Sequence, residues 1–151
     1  MRGLPRLGER LGQAFALLTV GGVRRMTGDY PAAARALEDA LGIFRDLGDR
    51  GGEAGALNET GTLHRVGGHL ARAEGCHQQA LDLARQIGSS WDEAHALAGL
   101  GRCAQTVGDS AGAEDKLQQA LEIFRQIGAP EAADISGELG TLIKAGPTGG
   151  G

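Results

Sequence analysis

His64, Cys76 and His77 are the residues whose types could do chemistry in this chain. Imidazole binds transition metals and titrates near neutral pH. Two histidines on facing helices, with a thiol beside one of them, would make a pH-sensitive seam or a metal site. The same residue types also occur as partly buried, hydrogen-bonded histidines with no chemical role. Cys103 has no Cys-x-x-Cys partner. A second set is polar: Arg25, Arg65 and Arg102, with Asn58, Thr62, His95 and Gln105 near them in sequence. Arginine forks pair bidentately with carboxylates, and an Asn amide can bind a peptide backbone. The chain contains no Gly-x-Ser-x-Gly elbow, no His-Glu-x-x-His and no phosphate loop ending in Gly-Lys-Ser/Thr. Its carboxylates are scattered over polar helix faces. The expectation is therefore no catalysis, no cofactor and no metal.

The totals narrow the partners further. The 151 residues carry a net charge of −4, which argues against a nucleic-acid surface built on bulk charge. No apolar run approaches the roughly 18–20 residues needed to span a bilayer, and no export signal is visible. Two cysteines are too few for a disulfide framework, so a reduced, cytoplasmic protein is expected. Aromatic residues make up only 3%, so a core must be built of Ala and Leu. Glycine is abundant, at 27 residues. Each glycine inside a helix costs about 0.5–1 kcal/mol relative to Ala, so a helical fold must place them at turns or close contacts.

The elements that position these residues follow from a repeat with a step of 40. Ala40-Leu41 recurs as Ala80-Leu81 and Ala120-Leu121. Gly28 recurs as Gly68 and Gly108, and Gly48 as Gly88 and Gly128. Gly21 recurs as Gly61 and Gly101, Leu17 as Leu57 and Leu97, and Ala33 as Ala73 and Ala113. Each unit reads as two amphipathic helices. In the third, Ser90 and Glu93 fit a capping box. Ala94, Leu97, Leu100, Gly101 and Ala104 form one apolar face, and Ala113, Leu117, Ala120, Leu121 and Phe124 the next. Gly28, Gly48 and their recurrences are expected at left-handed helix ends. Gly21, Gly61 and Gly101 fall inside the first helices, where a missing side chain lets a partner helix come close. Pro31 and Pro130 are expected in first turns.

The order bulky, Leu, Gly, bulky, then Ala, bulky, Ala is carried by Leu97, Leu100, Gly101, Ala104, Ala113, Leu117 and Ala120. It resembles the tetratricopeptide repeat family, whose standard unit is about 34 residues. The longer unit here is similar to the variant of kinesin light chains and of helical arrays in bacterial signalling ATPases and regulators. Gly28-Asp29-Tyr30 and the Ala-Leu-x-Ile-Phe-Arg segment look most like the actinobacterial regulators. The resemblance implies an all-α, right-handed superhelix of about seven helices, with three full units and partial ones at both ends. It implies a non-catalytic scaffold or sensor, the part of a bacterial regulatory system that binds a partner protein or peptide in a concave groove. Phe15, Arg25, Asn58, Thr62, Arg65, His95, Arg102 and Gln105 would line that groove, and the three arginines would favour an acidic peptide. On the same resemblance, His64 and His77 would face each other between the two helices of one unit. Trp91 is expected over a turn between units.

The boundaries follow the step: 12–51, 52–91, 92–129 and a final helix over 130–144. Residues 1–11 align with the tail of a second helix, and 145–151 read as a Gly-rich flexible tail. The chain is thus expected to be a fragment or shortened relative of a longer array. The alternative function is self-assembly through the end helices, with Leu4, Leu7 and Leu11 against Leu139, Leu142 and Ile143.

Overall fold

A computed structural model describes residues 6–145. Among these residues are seven α-helices and no strand: α1 Leu7–Met26, α2 Tyr30–Leu47, α3 Arg50–Val66, α4 Leu70–Ile87, α5 Ser90–Thr106, α6 Ser110–Gln126 and α7 Glu131–Ala145. Each helix packs on the one before it and the one after it. The first helices of successive units, α1 with α3 and α3 with α5, also touch one another. The chain is an all-α solenoid, as its repeats predict.

The helices stop where the sequence supplies a residue that can turn left-handed. Gly28, Gly68 and Gly108 lie within units at φ 86°, 84° and 82°, and Gly48, Gly88 and Gly128 between units at φ 67°, 69° and 69°. Of the helices that follow, α2, α3, α5 and α6 are capped by side chains. Asp29, Asp49 and Asp109 accept from the backbone N–H of Ala32, Gly52 and Gly112 at 3.2, 2.9 and 2.9 Å. The cap of α5 lies one residue earlier than expected. Ser89, not Ser90, accepts from the Asp92 N–H at 3.3 Å and donates its hydroxyl to the Asp92 carboxylate at 2.8 Å. Glu93 instead pairs with Arg85 at 3.0 Å, repeating the Arg45–Glu53 pair at 3.1 Å.

Helices within a unit meet at the internal glycines. A Cβ on Gly21 would lie 2.5 Å from Leu37 Cδ2, one on Gly61 2.7 Å from His77 Nε2, and one on Gly101 2.9 Å from Leu117 Cγ. Leu37, His77 and Leu117 are the same position of the repeat. Around these contacts Ala33, Ala73 and Ala113, and Ala40, Ala80 and Ala120, are fully buried. Phe44 and Phe124 are the largest side chains in the core. Phe44 lies over Gly52, so it joins the first unit to the second.

The first boundary differs from the expectation. Leu7 to Leu11, read as the tail of a preceding helix, are the opening turns of α1. Gly8 occupies the place of Gly48 and Gly88 but is helical, because Glu9 follows it where Asp49 and Ser89 cap the later helices. Leu4 and the Gly-rich tail from residue 146 lie outside the described residues.

Two glycine substitutions should separate packing from helix propensity. Gly52→Ala drives a methyl into the fully buried Phe44 ring, and should destabilise by about 1–3 kcal/mol. Gly75→Ala, on an exposed stretch of α4 with nothing within 4 Å, should stabilise by about 0.5–1 kcal/mol. Urea unfolding of both variants decides the matter, and equal effects would overturn the assigned helix approach.

Candidate partner-binding groove

The first helices form one side of the solenoid, and a slot of about 480 Å³ opens along it. One wall is α1, with Leu18, Val23 and Met26. The opposite wall is the start of α5, with Trp91, Asp92 and His95. Gly55 and Asn58 of α3 form the floor between them. Gly22 and Gly55 put no side chain into the slot, so a main chain could approach closely. Val23, Met26 and Trp91 are 47%, 70% and 47% exposed. The indole of Trp91 stacks on His95 with ring centroids 4.6 Å apart, and both rings meet the edge of buried Phe124. Trp91 therefore faces the slot and reaches the last turn of α6 through Phe124. It escaped the sequence reading because its position lies at a helix start, outside the expected groove positions.

The structure brings six of the expected groove residues against other groups of the array, Asn58 among them. Arg25 donates to Glu59 at 3.3 Å, linking α1 to α3. Arg102 forks onto Glu138, with contacts of 3.1 and 2.7 Å, and His95 meets Glu131 at 3.2 Å, linking α5 to α7. The Thr62 hydroxyl donates back to the Asn58 carbonyl at 3.1 Å. Phe15, 46% exposed, rests edge-on against Phe44 at 5.0 Å. The lining is thus nearly neutral where a basic one was expected, because Glu59, Glu131 and Glu138 come from neighbouring first helices. Arg65 is half-buried and makes no ion pair among the described residues, and Gln105 is exposed.

Asn58 is more constrained than a free groove residue. It is only 9% exposed. Its Oδ1 lies 2.9 Å from His77 Nδ1, and its Nδ2 donates to the Asp92 carbonyl over a long 3.4 Å. His77 is 1% exposed, and its Nε2 has no partner. The ring is wedged between Gly61 of α3 and Gly99 of α5, where added Cβ atoms would collide with it. The facing pair of His64 and His77 is not formed. His64 instead stacks edge-on with His69 at 6.1 Å. A seam position opposite His77 is already taken by Gly61. Burial, followed by Arg72 and His69, lowers the His64 pKa. Burial pushes the thiols of Cys76 and Cys103 up, away from the thiolate form. Among the described residues no group of three His, Cys, Asp or Glu side chains is placed to hold a metal ion. No helix among them is long and apolar enough to cross a membrane.

The family model described as tetratricopeptide repeat matches residues 52–126. The crystal structure of BtubC (BKLC) from P. vanneervenii is similar to this chain with a TM-score of 0.72 at 18% sequence identity. That similarity covers 94% of this chain and 67% of the other, and at this identity it shows the fold. No curated protein matches the chain in sequence.

His77 makes the fold sensitive to acid. Burial first, then the guanidiniums of Arg65 and Arg102, lower its pKa from 6.5 to about 4. Between these values the unfolded chain binds a proton that the folded chain refuses. Stability is therefore complete above pH 6.5 and falls as the pH drops towards 4, by up to about 3 kcal/mol from this group. His77→Leu, which installs the residue found at positions 37 and 117, should flatten that loss. Urea midpoints at pH 7 and pH 4.5 test it, and an unchanged pH dependence in the variant would refute the assignment.

Proposed function

Because the chain belongs to the tetratricopeptide repeat family over residues 52–126, we propose that it is a protein-binding scaffold that receives an extended segment of a partner protein in the slot between α1 and α5. The family is in general a non-catalytic protein-interaction module. The observation that carries the reading is the slot itself: half-exposed Trp91 on one wall, exposed Val23 and Met26 on the other, and a glycine floor. Affinity in such a groove comes from a few apolar anchors and aligned hydrogen bonds. The segment bound would carry an apolar side chain for the Trp91–Met26 gap. Its main chain would lie over Gly22 and Gly55, with a carbonyl towards Asn58. An acidic side chain on it would be met by Arg65, since Arg25 and Arg102 are already neutralised. The Gly28-Asp29-Tyr30 segment, similar to bacterial regulators, supports a place in a regulatory system. The free thiols of Cys76 and Cys103 support a reducing, cytoplasmic setting.

One observation favours self-association as a second reading. Val20 and Val23 of α1 are 44% and 47% exposed, whereas the same repeat positions are buried at Leu100 and Cys103 of α5. This α1 face is built like the inside of the array. Leu7 and Ile143 add exposed apolar surface at the two ends, but Leu139 is only 4% exposed and already packed.

Two measurements test these readings. Peptides selected from a displayed random library on the intact protein should lose about tenfold or more in affinity with Trp91→Ala. Selected peptides that ignore this change and Met26→Ala would sink the groove reading. Sedimentation at rising concentration should show association that Val20→Asp removes; a monomer at every concentration would eliminate the second reading.

A further inference from the structure

The middle unit and the helix stacked on it depart from the rest of the array at three places that meet at one side chain, His77. Where the repeat has Leu37 and Leu117, the middle unit has His77. Where the repeat has Leu18 and Ala98, it has Asn58. The third place is the first helix of the following unit, where Gly99 stands at the position of Glu59 and Leu139. The two polar residues hydrogen-bond to each other at 2.9 Å, and the glycine clears space for the imidazole. A polar pair buried in an apolar repeat position carries a desolvation penalty that two leucines would avoid. Its presence together with the matching glycine points to a use for the polar atoms.

The hydrogen-bond roles around this pair are determined by geometry. Asn58 Nδ2 is directed at the Asp92 carbonyl, an acceptor, so its Oδ1 is the atom that faces His77. An oxygen there accepts, so His77 carries its proton on Nδ1, and the partnerless Nε2 is a bare lone pair. A flipped Asn58 carboxamide would either face N–H against N–H or push the ring proton onto Nε2, where it would be buried with no acceptor. This fixes its amide nitrogen on the groove side, beside Asp92 and the slot floor. One amide N–H reaches the Asp92 carbonyl over a long 3.4 Å, and the second has no acceptor among the described residues.

We infer that His77 is a positioning residue for the groove: through Asn58 it locks an amide donor at the slot floor, which selects an extended peptide that presents a main-chain carbonyl there. This rests on the groove reading and deepens it. The charged groups acting on His77 are Arg65 on α3 and Arg102 on α5, and both oppose a second proton on the ring. The lock therefore persists through the neutral range; a proton added to Nε2 in acid would leave the Nδ1–H donor in place but bury a second N–H with no acceptor, a cost borne by the stability of the fold.

The test separates positioning from packing, using library-selected peptides that require Trp91. His77→Leu suits the apolar repeat position but removes the donor to Asn58. His77→Asn keeps a donor near the place of Nδ1 while leaving a smaller, less well packed side chain. Positioning predicts that peptide affinity follows the donor: about tenfold weaker with His77→Leu, and within about threefold of the parent with His77→Asn. Thermal stability should rank the other way, with His77→Leu above His77→Asn. In the parent, nitrogen-15 spectra of the ring should show the neutral Nδ1–H form at pH 7. Affinity that follows stability across the two variants, or an Nε2–H ring, would overturn the inference while leaving groove binding intact. Failure to select any Trp91-dependent peptide would instead overturn the groove reading, and this inference with it.

Discussion

The close approach of two helices at Gly21, Gly61 and Gly101 is the contact on which the rest depends. A Cβ at any of the three would enter the side chain at the facing position, Leu37, His77 or Leu117. Helix packing distances are set by the residues at the contact. With glycine on one side, a single branched or ring side chain fills the gap, and the flanking positions must then be alanine. Those alanines, at 33, 73 and 113 and at 40, 80 and 120, are fully buried. Each glycine gives up about 1 kcal/mol of helix propensity, and burying a leucine against it returns about 1.5–3 kcal/mol. The sign of that balance explains how a chain so rich in glycine forms long helices. It also explains how a core almost free of aromatic residues holds together.

Most of the fold was legible because these devices are local and repeat. A glycine that must turn left-handed, an Asp that caps, and a glycine at a close contact can each be recognised from residue type and step. The slot was much less legible. Its polar contacts join successive first helices, and the partner lies 34 or 36 residues away, short of the 40-residue period: Arg25 to Glu59, Asn58 to Asp92, His95 to Glu131, Arg102 to Glu138. Aligning the chain on its period superposes equivalent positions but conceals neighbours offset by four to six residues. The glutamates that pair with Arg25 and Arg102 therefore went unnoticed.

His64 and His77 show the same limit at finer scale. Their types were conspicuous, and a facing pair was a reasonable expectation from repeat positions alone. The side chain at position 77 projects towards a glycine on each of two helices, and only one of those glycines, Gly61, belongs to its own unit. The other, Gly99, becomes meaningful once the stacking of α5 on α3 is known. Residue type indicates that a position is unusual. Packing between units decides what the unusual residue touches.

Neutralising the groove arginines has a consequence for how such a surface recognises a partner. Exposed charges steer partners over roughly a Debye length, about 8–10 Å at moderate salt. Here the guanidiniums of Arg25 and Arg102 lie against carboxylates of the next first helix, so the field they project is largely cancelled at its source. Those pairs hold α1 to α3 and α5 to α7, which makes them part of the stacking geometry. For the proposed groove function, selectivity then rests mainly on short-range terms. These are the apolar walls at Trp91, Val23 and Met26, the bare floor at Gly22 and Gly55, and a donor held at Asn58. Such terms act only once a segment is seated, so they set how long a partner stays more than how fast it arrives. In the proposed groove function, the same ion pairs that keep the solenoid in register leave discrimination to shape and hydrogen bonding more than to charge.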